Sequence, residues 1–329
     1  MTSLYGNLAA RQAFSAAIDS GSLHHGWIFA GPEGVGKARF AMLAARRLLA
    51  GPGQPDDFEI PPGDRTQQLI DAGSHPDLKL LQRLPRDEKK PEQGLARSIR
   101  VDQVRELDHF LGVKATYSDR RVVVIDTADD LERPGASNAL LKNLEEPPPS
   151  TVFLLVSHAP ERLLPTIRSR CRLLRFSPLG ADAMTSALTA ALPDADEAEI
   201  VALAKVGEGA PGRAIAWRGL DVDALDSAMD TLVREGDSTN ARRAALAQSL
   251  ALKSAQLRYE AFLARAPSRI AAEARRRRGP ALAEALGLWE RTADLAGSAQ
   301  RLSLDPQSTV FELAGMLAAL APGVKRDAA

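Results

Sequence analysis

The sequence predicts an α/β core, a parallel sheet with flanking helices, followed by a region made only of helices. Two unbroken apolar runs rich in β-branched residues, at residues 122–125 and 151–156, are typical of strands buried on both faces. Between them, residues 139–144 place apolar side chains on one helical face, and the prolines at 147–149 end that helix. After residue 176 the chain becomes rich in alanine and leucine with helical periodicity. Strand, helix and strand in succession favour a parallel sheet.

The same periodicities predict the remaining elements in order. Further helices are predicted at residues 7–20, 39–50, 101–111 and 163–169, and further strands at residues 27–30, 78–84 and 172–176. Later helices are predicted at residues 182–192, 197–206, from near Pro211, and repeatedly from residue 222 to residue 320. We therefore predict an α/β domain at residues 1–177, a small helical domain at 178–220 and an all-helical domain at 221–329.

Composition and charge exclude several classes of protein. The chain is 45% hydrophobic and 26% charged, which is typical of a globular protein. Its length of 329 residues indicates two or three domains. Basic and acidic residues both number 42, whereas a nucleic-acid coat or a membrane-surface binder is usually basic. The single cysteine, Cys171, excludes an intramolecular disulfide and a cysteine zinc cluster, so we expect no metal site. Because neither a signal peptide nor a run of about 20 apolar residues is present, we expect a cytoplasmic protein without a membrane partner.

A glycine-rich loop joins the first predicted strand to the next helix. It fits the pattern G-x-x-x-x-G-K, and with the residue after it consists of Gly31, Pro32, Glu33, Gly34, Val35, Gly36, Lys37 and Ala38. Such glycines let backbone N–H groups face a phosphate, and the lysine reaches the terminal phosphates. The alternative is a tight glycine turn with a lysine at the surface. The strand before the loop and the helix after it favour descent from a nucleotide-binding loop.

Polar residues close two of the predicted strands. Asp126 ends the run at 122–125, Ser157 ends the run at 151–156, and an arginine-rich corner at residues 168–171 follows on the next helix. In open α/β sheets, ligands gather at the carboxyl ends of the strands. We therefore expect all three groups near such strand ends or on the helix beyond them.

A long block of the chain carries a family resemblance. Residues 136–157 read ASNALLKNLEEPPPSTVFLLVS, and residues 164–171 read LPTIRSRC. This block resembles, nearly residue for residue, the core of bacterial clamp-loader ATPase subunits of the AAA+ class, and the resemblance covers residues 4–220. It implies an AAA+ core, a small helical lid domain and an all-α collar domain for oligomerisation. The C-terminal helices match that family only in general character.

Two positions depart from the working ATPases of that family. Ala38 stands where a serine or threonine hydroxyl would ligate Mg²⁺. Thr127 follows Asp126 where the family's motors carry a glutamate that polarises the attacking water. Asp129 and Asp130 lie beyond the strand end, and we predict that they are solvated turn residues. Because phosphoryl transfer depends on positioning and electrostatics, we predict at most weak ATP or ADP binding, negligible hydrolysis and no firmly bound cofactor.

Three further residues resemble functional positions of the family. Arg170, in Ser169-Arg170-Cys171, matches the arginine that reaches the γ-phosphate bound by the neighbouring subunit, where its planar fork neutralises developing charge. The alternative is an arginine that caps a helix end or pairs with a surface acid. Ser157 resembles the family's polar sensor at a strand end. The sequence is equally compatible with a serine that only caps the strand. Arg213, at a helix start where a cation is unfavourable, resembles the second phosphate sensor.

The resemblance implies a non-hydrolysing subunit of a five-membered ring. Such a subunit would assemble with motor (gamma/tau) and delta subunits, supply Arg170 in trans, and help to load the sliding clamp onto primed DNA. The motor subunit keeps the hydrolytic residues and the delta subunit lacks Ser-Arg-Cys, so this chain fits neither. Two alternatives remain open. One is an active AAA+ ATPase, favoured by Lys37 and Asp126, and the other is a purely structural interaction protein in which Arg170 has no catalytic part.

Overall fold

The computed structural model describes residues 4–51, 58, 61, 63–87, 89–90, 94–302 and 304–322. The chain forms two compact units, residues 1–215 and residues 216–329. The three-domain division with boundaries after residues 177 and 220 stays a prediction. Within the described ranges, no helix combines the length and the apolar character needed to cross a membrane.

The first unit is built on a five-stranded sheet. Its strands are β1 (Gly26–Ala30), β2 (Leu78–Gln82), β3 (Arg121–Asp126), β4 (Thr151–Ser157) and β5 (Arg172–Arg175). Their order across the sheet is β2-β3-β4-β1-β5, and every neighbouring pair is parallel. The predicted parallel sheet is confirmed. Each predicted strand lies within two residues of the observed bounds.

Helices that cover the two faces of this sheet, and helices that follow the last strand, make up the rest of the first unit. They are α1 (Leu8–Asp19), α2 (Lys37–Leu49), α3 (Arg65–Asp71), α4 (Val101–Gly112), α5 (Gly135–Glu145), α6 (Pro165–Ser169), α7 (Ala181–Ala191), α8 (Glu197–Gly207) and α9 (Pro211–Ala216). Successive residues of β3 alternate between two apolar clusters, as the pleat of a strand requires. Val122 and Val124 pack with α1 and α2, whereas Val123 and Ile125 pack with α4 and α5. Because both faces are covered, the strand is apolar from Val122 to Ile125.

Two buried arginines tie α2 to the helices beside it. Arg46, whose side chain is 1% exposed, forms an ion pair with Asp64 at 2.5 Å. Asp64 also accepts the backbone N–H of Gln67 and so caps α3. Arg47 donates to Asp19 of α1 at 2.9 Å. Since buried charges are rare unless they are paired, these two contacts fix how α1 and α3 sit against α2.

The second unit consists of helices α10 (Val222–Glu235), α11 (Ala241–Leu250), α12 (Gln256–Ala274), α13 (Gly279–Leu302) and α14 (Pro306–Ala318). The last of these is the central one, because it contacts each of the other four. Its residues Val310, Leu313 and Leu317 are fully buried. Buried Arg265 of α12 forms an ion pair with Asp226 of α10. The predicted all-helical character of the C-terminal region is confirmed.

Candidate nucleotide site and arginine corner

The glycine loop lies between β1 and α2, as its pattern predicts. The N–H of Gly31 donates to the carbonyl oxygen of Ser157 at 3.3 Å, which holds the start of the loop against the end of β4. Gly34 and Gly36 have φ values of 79° and 102°, a left-handed region that favours glycine. Helix α2 begins at Lys37, and its N-cap residue, Gly36, has no side chain that could cap the first turn. The loop therefore has the strand-loop-helix geometry of a phosphate-binding loop.

Lys37 is bound to its own loop. Its Nζ donates to the carbonyl oxygens of Gly31 and Pro32, each at 2.6 Å, and the residue is 2% exposed. The alternative of a lysine at the surface is therefore wrong. Burial lowers the pKa of this amine to about 8, although Glu33, among other carboxylates, acts in the opposite direction. The amine that would contact terminal phosphates is used by backbone carbonyls of the same loop.

The first turn of α9 packs directly on the glycine loop. The N–H of Gly212 donates to the carbonyl oxygen of Gly34 at 2.9 Å. Arg213, the next residue, donates from Nη2 to the carbonyl oxygen of Gly207 at 2.8 Å and lies 3.6 Å from the carboxylate of Glu208. These contacts hold Arg213 to the turn between α8 and α9. Its role as a phosphate sensor stays a prediction.

A cavity of about 380 Å³ opens beside the loop. It is walled by the N-terminal segment, the start of α2, the C-terminal part of α7 and the first turns of α9. Its lining includes Tyr5, Val35, Phe176, Ala187 and Ile215. The volume and the mostly apolar walls are those of a small-molecule site. Sequence reasoning predicted the glycine loop that forms part of this wall but missed the cavity, because its other walls come from segments far apart in the chain.

Asp129 joins the carboxyl ends of β3 and β4. It accepts the hydroxyl of Ser157 at 2.9 Å and the backbone N–H of His158 at 2.5 Å. Asp130 forms an ion pair with Arg83 at 3.0 Å, and burial raises the pKa of its carboxyl. The prediction that these two acids are solvated turn residues is therefore wrong. The hydroxyl of Ser157 is held by the carboxylate of Asp129. This contact is compatible with both predicted roles of Ser157, the polar sensor and the simple cap at a strand end.

The strand ends offer little for activating a water molecule. Asp126 is half-buried, and burial raises the pKa of its carboxyl despite the nearby His158 and Lys37. Thr127 adds no carboxylate. His158 lines the cavity, and burial, together with Lys37, lowers its pKa, which favours the neutral imidazole. Because Asp129 is engaged by β4, it does not replace the missing glutamate.

The arginine corner lies at the opposite end of the sheet. Helix α6 runs back from the carboxyl end of β4, and β5 then starts beside the start of β1, with Trp27 paired to Arg172. A Cβ on Gly26 would lie 3.1 Å from the carbonyl oxygen of Arg170 and 2.9 Å from the sulfur of Cys171. The corner thus lies at the end of the helix beyond β4, which the sequence allowed, and not at the carboxyl edge with Asp126. The chain between β4 and β5 reverses direction, so the corner belongs to the amino edge.

Arg170 is half-exposed, and its guanidinium contacts Glu145, Thr166 and, at 3.5 Å, the hydroxyl of Ser169. Its Nη2 lies 2.9 Å from Oε1 of Glu145, at the end of α5, and its Nη1 donates to the carbonyl oxygen of Thr166 at 3.0 Å. The sequence is also compatible with a helix-end cap or a surface ion pair as alternatives to a phosphate-binding role for Arg170. Both contacts are present in the chain: the bond to Thr166 caps the end of α6, and the contact with Glu145 is a surface ion pair. Burial raises the pKa of the Cys171 thiol to about 12, which disfavours the reactive thiolate.

A family model and curated relatives that match this chain are described as DNA polymerase III subunits. A family model described as "DNA polymerase III, delta subunit" matches residues 6–180. The DNA polymerase III subunit delta′ of Pseudomonas aeruginosa is 38% identical over 203 residues, 61% of this chain and 58% of that protein. The same subunit of Escherichia coli is 35% identical over 201 residues, 61% of this chain and 56% of that protein. The chain thus matches somewhat more than half the length of these relatives.

One solved structure is similar over most of its length. It is a DNA polymerase III gamma subunit-related protein from Thermotoga maritima, with 14% identity and a TM-score of 0.45. The superposition covers 94% of this chain and 99% of that structure.

Proposed function

Because this chain belongs to the family described as DNA polymerase III, delta subunit, we propose that it serves as the delta′ subunit of the bacterial clamp loader. In that assembly it hydrolyses no ATP itself. It supplies Arg170 to the ATP of an adjacent motor (gamma/tau) subunit. Together with the motor and delta subunits it loads the sliding clamp onto primed DNA during replication in the cytoplasm.

The position of Arg170 relative to the chain's own glycine loop carries this proposal. The loop follows the last residue of β1, Ala30, whereas Arg170 lies beside the first, Gly26. Four residue steps along a strand span about 13 Å. Arg170 therefore lies at the amino edge, away from the carboxyl edge where its own loop would hold a phosphate. An arginine so placed serves a nucleotide only if another subunit brings one to the amino edge.

The geometry of the loop supports the absence of hydrolysis by this chain. The Lys37 amine is bonded to two loop carbonyls, Ala38 offers no hydroxyl for Mg²⁺, and Thr127 offers no base. Asp129, the nearest further acid in sequence, is occupied by Ser157 and His158. Loss of metal placement together with loss of water activation should reduce phosphoryl transfer by several orders of magnitude.

The test is ATP hydrolysis by the reconstituted clamp loader in the presence of clamp and primed DNA. Arg170→Ala should slow hydrolysis at the site that Arg170 serves by about 100-fold or more, since one charge-stabilising donor is lost. Assembly, measured by gel filtration, should be unchanged. Arg172→Ala, which removes an exposed arginine two residues further on, is the matched control and should hydrolyse ATP at the wild-type rate.

The same experiment separates the two alternatives. If Arg170→Ala leaves the rate unchanged in an intact complex, the chain acts only as a structural subunit. If the purified chain alone hydrolyses ATP and Lys37→Ala abolishes that activity, the chain is an active ATPase instead.

A further inference from the structure

The carboxylate of Glu145 is the partner that meets the guanidinium of Arg170 at 2.9 Å. We propose that Glu145 is a positioning residue, which fixes the direction of Arg170 so that its free edge points at the neighbouring subunit's phosphate. This inference rests on the proposed function of Arg170. It assigns a role to an acid that has no part in the chain's own glycine loop.

Two helices hold the arginine from two sides. Glu145 is the last residue of α5 and engages Nη2, while the carbonyl oxygen of Thr166 in α6 accepts a hydrogen bond from Nη1. Arg170 itself follows α6, so its backbone and both anchors belong to one packed corner. A free arginine side chain samples many rotamers, and ordering it at an interface weakens the interaction. Because Glu145 and Thr166 already hold the Arg170 side chain in one orientation, less conformational entropy is lost when it meets a phosphate. Stabilisation of charge in a transition state requires such preorganised donors.

The anchored guanidinium keeps donors for a phosphate. A guanidinium has five N–H donors, and the contacts with Glu145, Thr166 and Ser169 use only part of them. Its side chain is 35% exposed, so the remaining edge is accessible to a ligand. An arginine held in this way can present a planar fork to phosphate oxygens while the opposite edge stays bonded to the carboxylate.

The placement of Glu145 is otherwise unfavourable. A carboxylate in the last turn of a helix meets the negative end of the helix dipole. Glu146, the next residue, is also acidic, and the three prolines that follow prevent the helix from continuing. A half-exposed ion pair stabilises a fold only slightly, so the Glu145–Arg170 contact is better explained by orientation of the arginine than by stability.

Steady-state ATP hydrolysis by the reconstituted clamp loader, with clamp and primed DNA, tests this inference. Glu145→Ala should lower kcat by about 3- to 10-fold, because the Arg170 side chain then has to be ordered during the reaction. The KM for ATP should be unchanged. Glu145→Gln, whose amide oxygen still accepts a hydrogen bond, should keep most of the rate. Glu146→Ala is the matched control, because Glu146 is exposed at the same helix end and pairs with no cation in the described chain. It should match the wild type.

A double variant shows whether Glu145 acts through Arg170. If it does, adding Glu145→Ala to Arg170→Ala should produce no further loss, because the residue to be oriented is gone. A further loss in that background would overturn the inference. A wild-type rate for Glu145→Ala, in a complex that Arg170→Ala slows, would overturn it too. If Arg170→Ala itself has no effect, the proposed function fails first, and the inference falls with it.

Discussion

The backbone N–H of Gly212 donates a hydrogen bond of 2.9 Å to the carbonyl oxygen of Gly34. This contact joins the first turn of α9 to the middle of the glycine loop. A Cβ on Gly34 would lie 2.5 Å from the backbone nitrogen of Arg213, closer than any side chain tolerates. Glycine in such a loop is usually explained by the approach of a phosphate. Here the approach of the chain's own helix requires it as well.

Gly34→Ala should therefore destabilise the first unit more than Gly36→Ala. Both glycines have positive φ, which costs about 1–2 kcal/mol for alanine, but a Cβ on Gly36 meets no atom within 4 Å. The clash with α9 should add at least about 1 kcal/mol to the loss at Gly34. Urea unfolding of the two variants measures the difference in the free energy of unfolding. Equal losses would show that the contact between α9 and the loop contributes nothing.

Arg46→Ala should be among the more destabilising substitutions in the first unit. It leaves the carboxylate of Asp64 without the cation that pairs with it at the start of α3, and breaking a buried pair costs about 3–5 kcal/mol. Arg105→Ala is the control, since Arg105 and its partner Asp102 are both exposed and 4.0 Å apart. That substitution should change the free energy of unfolding by less than about 1 kcal/mol. Similar losses in urea unfolding for both variants would contradict a structural role for the buried pair.

Asp77 should make stability depend on pH in the acid range. It is buried and accepts the backbone N–H groups of Thr116, Tyr117 and Ser118 at 2.8 Å each. Burial opposes its charge, but these hydrogen bonds outweigh burial and lower the pKa of the carboxyl. Asp77→Asn should cost about 1–3 kcal/mol at pH 7, because fewer of the bonds can form.

The sign of the pH effect follows from the lowered pKa of Asp77. The stabilisation is fully present above the unfolded-state pKa near 3.9 and is lost as the pH falls through the lower folded-state pKa. The difference in free energy of unfolding between wild type and Asp77→Asn should therefore shrink below about pH 4. The control is Asp119→Asn, since Asp119 is an exposed acid directly after Ser118 in the loop that donates to Asp77. Its free energy of unfolding should stay within about 0.5 kcal/mol of the wild-type value. A difference that is constant down to pH 2 would contradict this account.

Cys171 should resist alkylation while the protein is folded. Burial raises the pKa of its thiol to about 12, so at pH 8 about one molecule in 10⁴ carries the reactive thiolate. Iodoacetamide labelling followed by mass spectrometry should be slow for the native chain and rapid in urea. Rapid labelling of the native chain would indicate that the corner around Arg170 opens readily.

The local elements could be predicted from the sequence, because their signals are local. The apolar runs of β3 and β4 are continuous since both faces are covered, and the spacing of Gly31, Gly36 and Lys37 indicates a phosphate loop whatever the loop binds. The helices of the C-terminal region follow from periodicity alone. Asp129 was mispredicted, because position after a strand says nothing about the hydroxyl that a neighbouring strand brings to it.

By itself the sequence determined which chemistry this chain carries: a loop lysine without a following hydroxyl, an aspartate without a following glutamate, and an arginine between serine and cysteine. Only the tertiary structure decided where that chemistry lies. The sheet order places β5 beside β1 and sets Arg170 at the edge opposite the glycine loop, and α9 closes on Gly34. Such contacts join residues that are more than a hundred positions apart. Strand pairing and packing create them, and no periodicity along the chain records which partners will meet.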